Sequence, residues 1–454
     1  MTTRNPRNGK LPEFVPILPA WLWVLLPVVA LWPIWLWTVE RFCDGSDDPL
    51  GVLAIALLLI SVWRERQSFV SRPRTGGIAV AVLLAAAASF SGLPSLARAV
   101  IAVLAVMAVL FALRGARTPL LAWVGLGLLA LPVLSSLQFF AGYPLRIVTA
   151  EASAQLLQLI GLSVVRQGGA LMVQGKLIVV DAPCSGIQMA WMGYFTACGT
   201  AAWLRLSNKA FLCRLPLIGL IVMSGNILRN TLLVAKESGL VAWPAWSHEA
   251  VGLAAFALVC LLILRHVAAA TAKTWVAPLY SFSPSGKRTL LAAACSFAVI
   301  GLMQALVPEN ASAHSTENRQ EWPNEFEGRP LQPMALSSVE QRFAENFPGA
   351  IARFNNQNQI VTLRDVRQPT RKLHPARDCY RGLGYGISEE SLQESKTGLQ
   401  RCFIARRGGN ALQVCEYIQD KAGHSFTDAS SWYWAAVIGD SHGPWRAVTT
   451  ARSL

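Results

Sequence analysis

Three side chains carry chemistry that the rest of the chain does not explain. Cys184 stands in 178-IVVDAPCSGIQMAW-191, where an apolar run breaks at Asp-Ala-Pro and resumes behind Ser185 and Gly186. Arg229 lies in 224-SGNILRNTLLVAK-236, inside an apolar block and flanked by Asn226 and Asn230. His248, in 243-WPAWSHEAVG-252, opens the next apolar block. A free thiol has a pKa near 8.5 and needs a neighbouring positive charge or a helix N-terminus to react as a thiolate at neutral pH. Histidine takes and returns protons close to its natural pKa. Arginine keeps its charge and offers a fork of donors to a developing oxyanion. The set suits cysteine acyl transfer: Cys184 as nucleophile, His248 as acid and base, Arg229 as electrostatic partner, with Ser185, Asn226, Asn230 and Asp181 in support. Taken singly, a cysteine at a helix start is a packing residue and a histidine at an interface is a cap. An arginine inside an apolar span costs several kcal/mol in principle, and its default reading is functional.

Positioning these groups falls to a membrane bundle. Of 454 residues 53% are hydrophobic and 15% charged, which a soluble protein of this length seldom shows. The candidate spans are 17–39, 50–63, 77–96, 97–113, 120–137, 187–206, 215–235, 250–264 and 289–307, most of them near the length needed for about 30 Å of hydrocarbon, with 50–63 short. With the N-terminus inside, every expected inner loop is basic, as at Arg64 and Arg66, Arg114 and Arg117, Arg205 and Lys209, and Lys287 and Arg288. The net charge of +14 is therefore a topology signal, and nucleic acid is not expected as a partner. The expected architecture is an all-α polytopic bundle of about nine transmembrane helices, N-in and C-out, over residues 1–307, followed by a small α+β extracytoplasmic domain over 308–454. The catalytic part is 138–266.

Under this topology Cys184, Arg229 and His248 reach one depth near the outer face, and one outer-facing cavity should hold them. A helix over Pro144 to Val165 on the outer face and a hairpin of Ala170–Val173 and Leu177–Val180 deliver Cys184 to the span that follows. Cys198, Cys213, Cys260 and Cys295 read as packing residues, and Cys43 is the rival nucleophile. In the C-terminal domain two of Cys379, Cys402 and Cys415 are expected to pair, and the sequence does not choose which. One Cys and one His make no zinc ligand set, so neither metal nor cofactor is called for. Strand-like pieces fall at Gln359–Leu363, Gln400–Ala405 and Ala411–Tyr417, with a helix-like stretch around Val339–Phe347 and a polar linker over Pro308–Arg329.

The order Ala182-Pro183-Cys184-Ser185-Gly186, then Asn226-x-x-Arg229, then His248, resembles the exosortase/archaeosortase family of membrane cysteine proteases over roughly Arg41 to His266. That resemblance implies that Cys184, Arg229 and His248 are catalytic. It further implies an inner-membrane enzyme of Gram-negative bacteria with its C-terminal domain in the periplasm. Its partners would be exported proteins ending in a sorting tail: a Pro-Glu-Pro motif, a transmembrane helix and a basic cluster. Pro183 stands where the family often has alanine, a difference in how the helix begins and not in chemistry. The run 374-HPARDCYRGLGY-385 resembles the accessory domain found beside or fused to some exosortases, which implies roles for His374 and Cys379. Two other classes compete. A non-catalytic component of exopolysaccharide export would line a conduit with polar residues across many spans, yet the first five spans are nearly devoid of them. A receptor with a membrane anchor leaves Arg229 unexplained.

Overall fold

The computed structural model describes residues 19–43, 49–70, 72–114, 119–167, 169–174, 176–179, 185–239, 243–244, 246–269, 286–306, 322–337, 340–341, 343–344, 347–357, 359–395 and 398–454. The membrane part comprises α1 (Ala20–Ala30), α2 (Trp32–Cys43), α3 (Gly51–Arg64), α4 (Thr75–Phe90), α5 (Ser95–Leu113), α6 (Leu120–Leu129), α7 (Leu134–Leu159), α8 (Ile187–Trp203), α9 (Asn208–Leu212), α10 (Leu215–Glu237), α11 (Ser247–Ala268) and α12 (Lys287–Leu306). Between α7 and α8 run β1 (Val164–Gln167), β2 (Ala170–Val173) and β3 (Lys176–Val179), a three-stranded antiparallel sheet.

Among the described residues four helical stretches are long and apolar enough to cross a membrane, or six if each of two bent pairs is one span. The nine expected spans therefore reduce to fewer that meet the length, for reasons the chain makes plain. The first breaks between α1 and α2 with a bend of 72°. Pro33 there has no N–H for the carbonyl four residues back, and its ring crowds that carbonyl. Pro132 acts likewise between α6 and α7, which meet at 92°. Helices α3 and α4 are apolar but have only 14 and 16 residues, and α8 has 17, about 26 Å at 1.5 Å per residue. The ends expected on the inner side do meet one another: Arg64 donates to the Trp203 carbonyl (2.9 Å), Arg205 pairs with Glu65 (2.6 Å), and Arg214 donates to the His266 carbonyl (3.1 Å).

Helix α7 is longer than the expected Pro144–Val165, beginning at Leu134 and carrying Pro144 inside it. Proline inside a helix leaves the carbonyl four residues earlier without its donor. Here that carbonyl is Phe140, and the indole N–H of Trp434 fills the place at 2.7 Å. The expected hairpin is present, with β1 added to it on the β2 side. Cys198 is buried as expected of a packing residue, whereas Cys213 and Cys295 are exposed on the protein surface.

The C-terminal region contains β4 (Glu325–Phe326), β5 (Arg329–Pro330), β6 (Gln332–Met334), β7 (Gly349–Asn356), β8 (Gln359–Val366), α13 (Ala376–Gly382), β9 (Gly386–Ser395), β10 (Gly398–Arg407), β11 (Asn410–Gln419), β12 (Ser425–Phe426), α14 (Ala429–Ile438) and β13 (Trp445–Ser453). An antiparallel sheet of order β6–β7–β8–β13–β11–β10–β9, with β12 against β11, forms its body. The three strand-like pieces of the sequence lie in β8, β10 and β11. Residues 339, 342, 345 and 346 of the helix-like stretch 339–347, and the linker from 308 to 321, fall outside the described residues.

This region seats itself on the first half of α7. Phe139 of α7 is buried in the same apolar cluster as Phe347, Leu373, Trp432 and Trp445, and meets the Tyr433 ring edge-on at 5.2 Å. Around it Ser430 donates to the Phe139 carbonyl, Arg371 to Ser135 (2.9 Å), and Arg146 to Asp428 (2.7 Å). Asp428 caps α14 as well, accepting from the Ser431 amide at 3.0 Å.

Candidate active site

Cys184 and Asp181 lie outside the described residues, so the site is built from the neighbours on either side. Ser185 and Gly186 are described and fully buried. The Ser185 hydroxyl donates to Gln138 of α7 at 3.1 Å, which pins the start of α8 to α7 immediately after the cysteine. Gly186 precedes α8 with φ +83°, a conformation that costs a residue with a Cβ. A Cβ there would stand 2.9 Å from the Asn226 side chain. The residue two places after Cys184 therefore touches α10 three residues before Arg229.

Asn226 and Asn230 stand on either side of Arg229, and the sequence offers them as groups to hold its guanidinium. Their described hydrogen bonds run to α7 instead: Asn226 Nδ2 donates to Thr149 Oγ1 at 3.2 Å and Asn230 Nδ2 to Ser153 Oγ at 2.9 Å. All four are buried. Both pairs are spaced i, i+4, so one face of α7 and one face of α10 are joined by two rungs a turn apart. Thr149, Ser153 and Gln138 escaped the sequence reading, since uncharged polar residues in an apolar helix acquire meaning only opposite a partner.

Half-buried Arg229 turns to the other side, toward α11. Its Nε would lie 3.4 Å from a Cβ on Gly252, so the guanidinium rests where α11 has no side chain. Gly252 and His248 are four residues apart on one helix face, about 6 Å along the axis. The close fit continues below: Gly193 of α8 abuts Val222 and Gly225 of α10 abuts Val259, small residues that let helix backbones approach. His248 sits at the exposed tip of α11 with Nδ1 3.6 Å from Glu237 Oε1, at the end of α10. Glu237 is thus the acidic neighbour of the histidine among the described residues. Helix α10 continues eight residues beyond Arg229, about 12 Å along its axis.

The elements carrying the three groups thus meet in one order: Gly186 on Asn226, Arg229 on Gly252, His248 a turn above Gly252. The transmembrane exosortase family model matches residues 37–265, half of the chain, and its span includes α3 through α10, nearly all of α11, and Cys184, Arg229 and His248. The chain belongs to the transmembrane exosortase family. The exosortase match ends before α12 and leaves the C-terminal region outside it. No curated protein and no solved structure matches the chain. Among the described residues no group of three or more His, Cys, Asp or Glu side chains is placed to hold a metal ion.

Proposed function

We propose that the protein is a membrane cysteine peptidase or transpeptidase that processes exported proteins bearing a C-terminal sorting tail of the Pro-Glu-Pro type. The reaction would take place at the outer face of the bacterial inner membrane, with the C-terminal domain in the periplasm. The observation that carries this reading is the contact order just described, in which Gly186, two residues after Cys184, meets Asn226, and Arg229 meets Gly252 one turn from His248. The tail's apolar helix would dock among the spans and present its peptide carbonyl there. Cys184 Sγ attacks the carbonyl carbon while His248 Nε2 takes the thiol proton. Arg229 faces the oxyanion, in a medium where charge is poorly screened. As the C–N bond breaks, His248 returns the proton to the leaving amine, and an acyl thioester remains on Cys184. Water or an amine then takes the acyl group and restores the thiol. Glu237 beside Nδ1 favours the tautomer with its proton on that nitrogen, leaving Nε2 free as base.

The test is processing of a tail-bearing substrate in cells expressing the parent protein or Cys184→Ala, Arg229→Ala or His248→Ala at matched membrane levels. The parent should shorten the substrate and all three variants should leave it full length, with losses of at least about 10²-fold. Normal processing by Cys184→Ala would sink the proposal.

A further inference from the structure

The C-terminal domain contains a second thiol–imidazole pair. Cys402 and Cys415 are directly opposite on β10 and β11 and form a disulfide, which leaves Cys379 free. Cys379 lies on α13, and His374 Nε2 is 3.1 Å from its Sγ. His374 Nδ1 is 3.0 Å from the Lys372 carbonyl. A carbonyl only accepts, so Nδ1 carries the ring proton and Nε2 is left as acceptor for the thiol hydrogen. The loop bearing the histidine is held by buried charges: Arg364, 5% exposed, donates to the His374 carbonyl at 2.9 Å, and Glu416 accepts from the Ala376 amide at 2.7 Å. A nucleophile, a base within reach, and a third group orienting the base are the parts of covalent catalysis.

The thiol side of the pair opens on a cavity. Cys379 lines a space of about 370 Å³ over the face of β7, β8 and β13, within the range of small-ligand sites. Its walls are largely apolar, with Ile351, Ile360 and Leu412. They also carry Asn355, Gln359 and Thr362, hydrogen-bonding groups that match peptide amides and would face an alkyl chain unsatisfied, beside the charged Glu340, Arg353 and Arg364. A thiol relay lacks its second member here. On β11 Leu412 lines the cavity and Glu416 reaches the Ala376 amide beside it, so the odd-numbered Cys415 and its disulfide face away.

We propose that Cys379 and His374 form a second acyl-transfer site, which accepts a peptide carbonyl flanked by an apolar side chain. Cys379 Sγ adds to the carbonyl carbon as His374 Nε2 takes its proton. The C–N bond then breaks with return of that proton to the amine, and water hydrolyses the Cys379 thioester to a carboxylic acid and the free thiol. Burial supports the resting state this requires. It raises the Cys379 thiol to about 11 and lowers His374 to about 4, so both rest neutral and the proton moves only as Sγ engages the carbonyl. Nothing in this site depends on Cys184.

The experiment uses the full chain in detergent with Cys184→Ala, treated with a peptidyl acyloxymethyl ketone that bears an apolar residue beside the ketone, followed by peptide mapping. The expected result is an adduct on Cys379 whose rate saturates with probe concentration and falls about 10²-fold in His374→Gln. Retention of the Cys402–Cys415 disulfide and of the melting temperature shows that the variant is folded. If it is not, saturation in the His374 protein decides. Absence of an adduct, a rate linear in probe, or equal labelling in folded His374→Gln overturns the site. Faster labelling by a long-chain fatty-acyl electrophile overturns the peptide assignment.

Discussion

At the scale of single residues, Gly186 shows how little freedom remains beside Cys184. An alanine there meets two costs, a left-handed conformation worth about 1–2 kcal/mol and a Cβ 2.9 Å from Asn226. Gly186→Ala is expected to lower the melting temperature in detergent and to abolish processing at matched expression, whereas parental values for both would remove Asn226 as a neighbour of the site. Arg229→Lys keeps the charge but loses the planar fork. It should recover little of the activity lost in Arg229→Ala, and near-parental processing by the lysine variant would reduce the role of Arg229 to charge alone. Arg229 was legible in the sequence because a charge in an apolar span has few structural reasons to be there. Glu237 and Thr149 were not, because their partners, His248 and Asn226, are 11 and 77 residues away and only the fold brings them close.

At the scale of elements, α7 is the hub. Its first half receives the C-terminal domain through Phe139, Phe140 and Arg146, its Gln138 holds Ser185, and its second half carries the two rungs to α10. Thr149→Val removes an acceptor in a fully buried place and leaves the Asn226 amide without it, a loss of about 1–3 kcal/mol. The melting temperature should fall, and processing should weaken without vanishing, since Thr149 touches no reacting atom. An unchanged melting temperature would mean that the rung contributes nothing. The sequence reading began this helix at Pro144 because the apolar helical spacing runs from Leu145 to Val164. What it could not contain is Trp434, 294 residues on, which supplies the donor that Pro144 withholds from Phe140. Conversely, the hairpin before Cys184 was legible from its apolar runs and Gln174-Gly175-Lys176 turn, while β1, with Arg166 and Gln167 at its end, had too few apolar positions to announce a strand.

At the scale of the whole molecule, the C-terminal domain is docked on the helix that braces the site, with a buried charge pair at the joint. Arg146 is 4% exposed, and removing its partner leaves it uncompensated, which typically costs about 3–5 kcal/mol. Asp428→Asn should raise amide hydrogen exchange across α14 and the first half of α7, and unchanged exchange would contradict the role of this pair. Burial opposes the charge on Asp428, but Arg146 and Arg401 outweigh it and hold the carboxyl below its ordinary value. A depressed acid of this kind contributes its full stability above the unfolded value of about 3.9 and loses it as pH falls through the folded one. Protection of α14 should therefore hold from neutral pH down to about 4 and decline in more acid solution, and a loss already complete at pH 6 would point to another group. Membrane character and a β-containing C-terminal region were legible from composition and alternation. The seating of one on the other was not, because it rests on contacts such as Arg146–Asp428, 282 residues apart.

The most direct test of the central claim is to look for the covalent intermediate. Purified protein mixed with a tail-bearing substrate and quenched in acid should yield, by mass spectrometry, the substrate's N-terminal portion joined to Cys184 through a bond that hydroxylamine cleaves, and the adduct should be absent from Cys184→Ala. Processing that proceeds with no such adduct, and continues in Cys184→Ala, would contradict the assignment of Cys184 as the nucleophile.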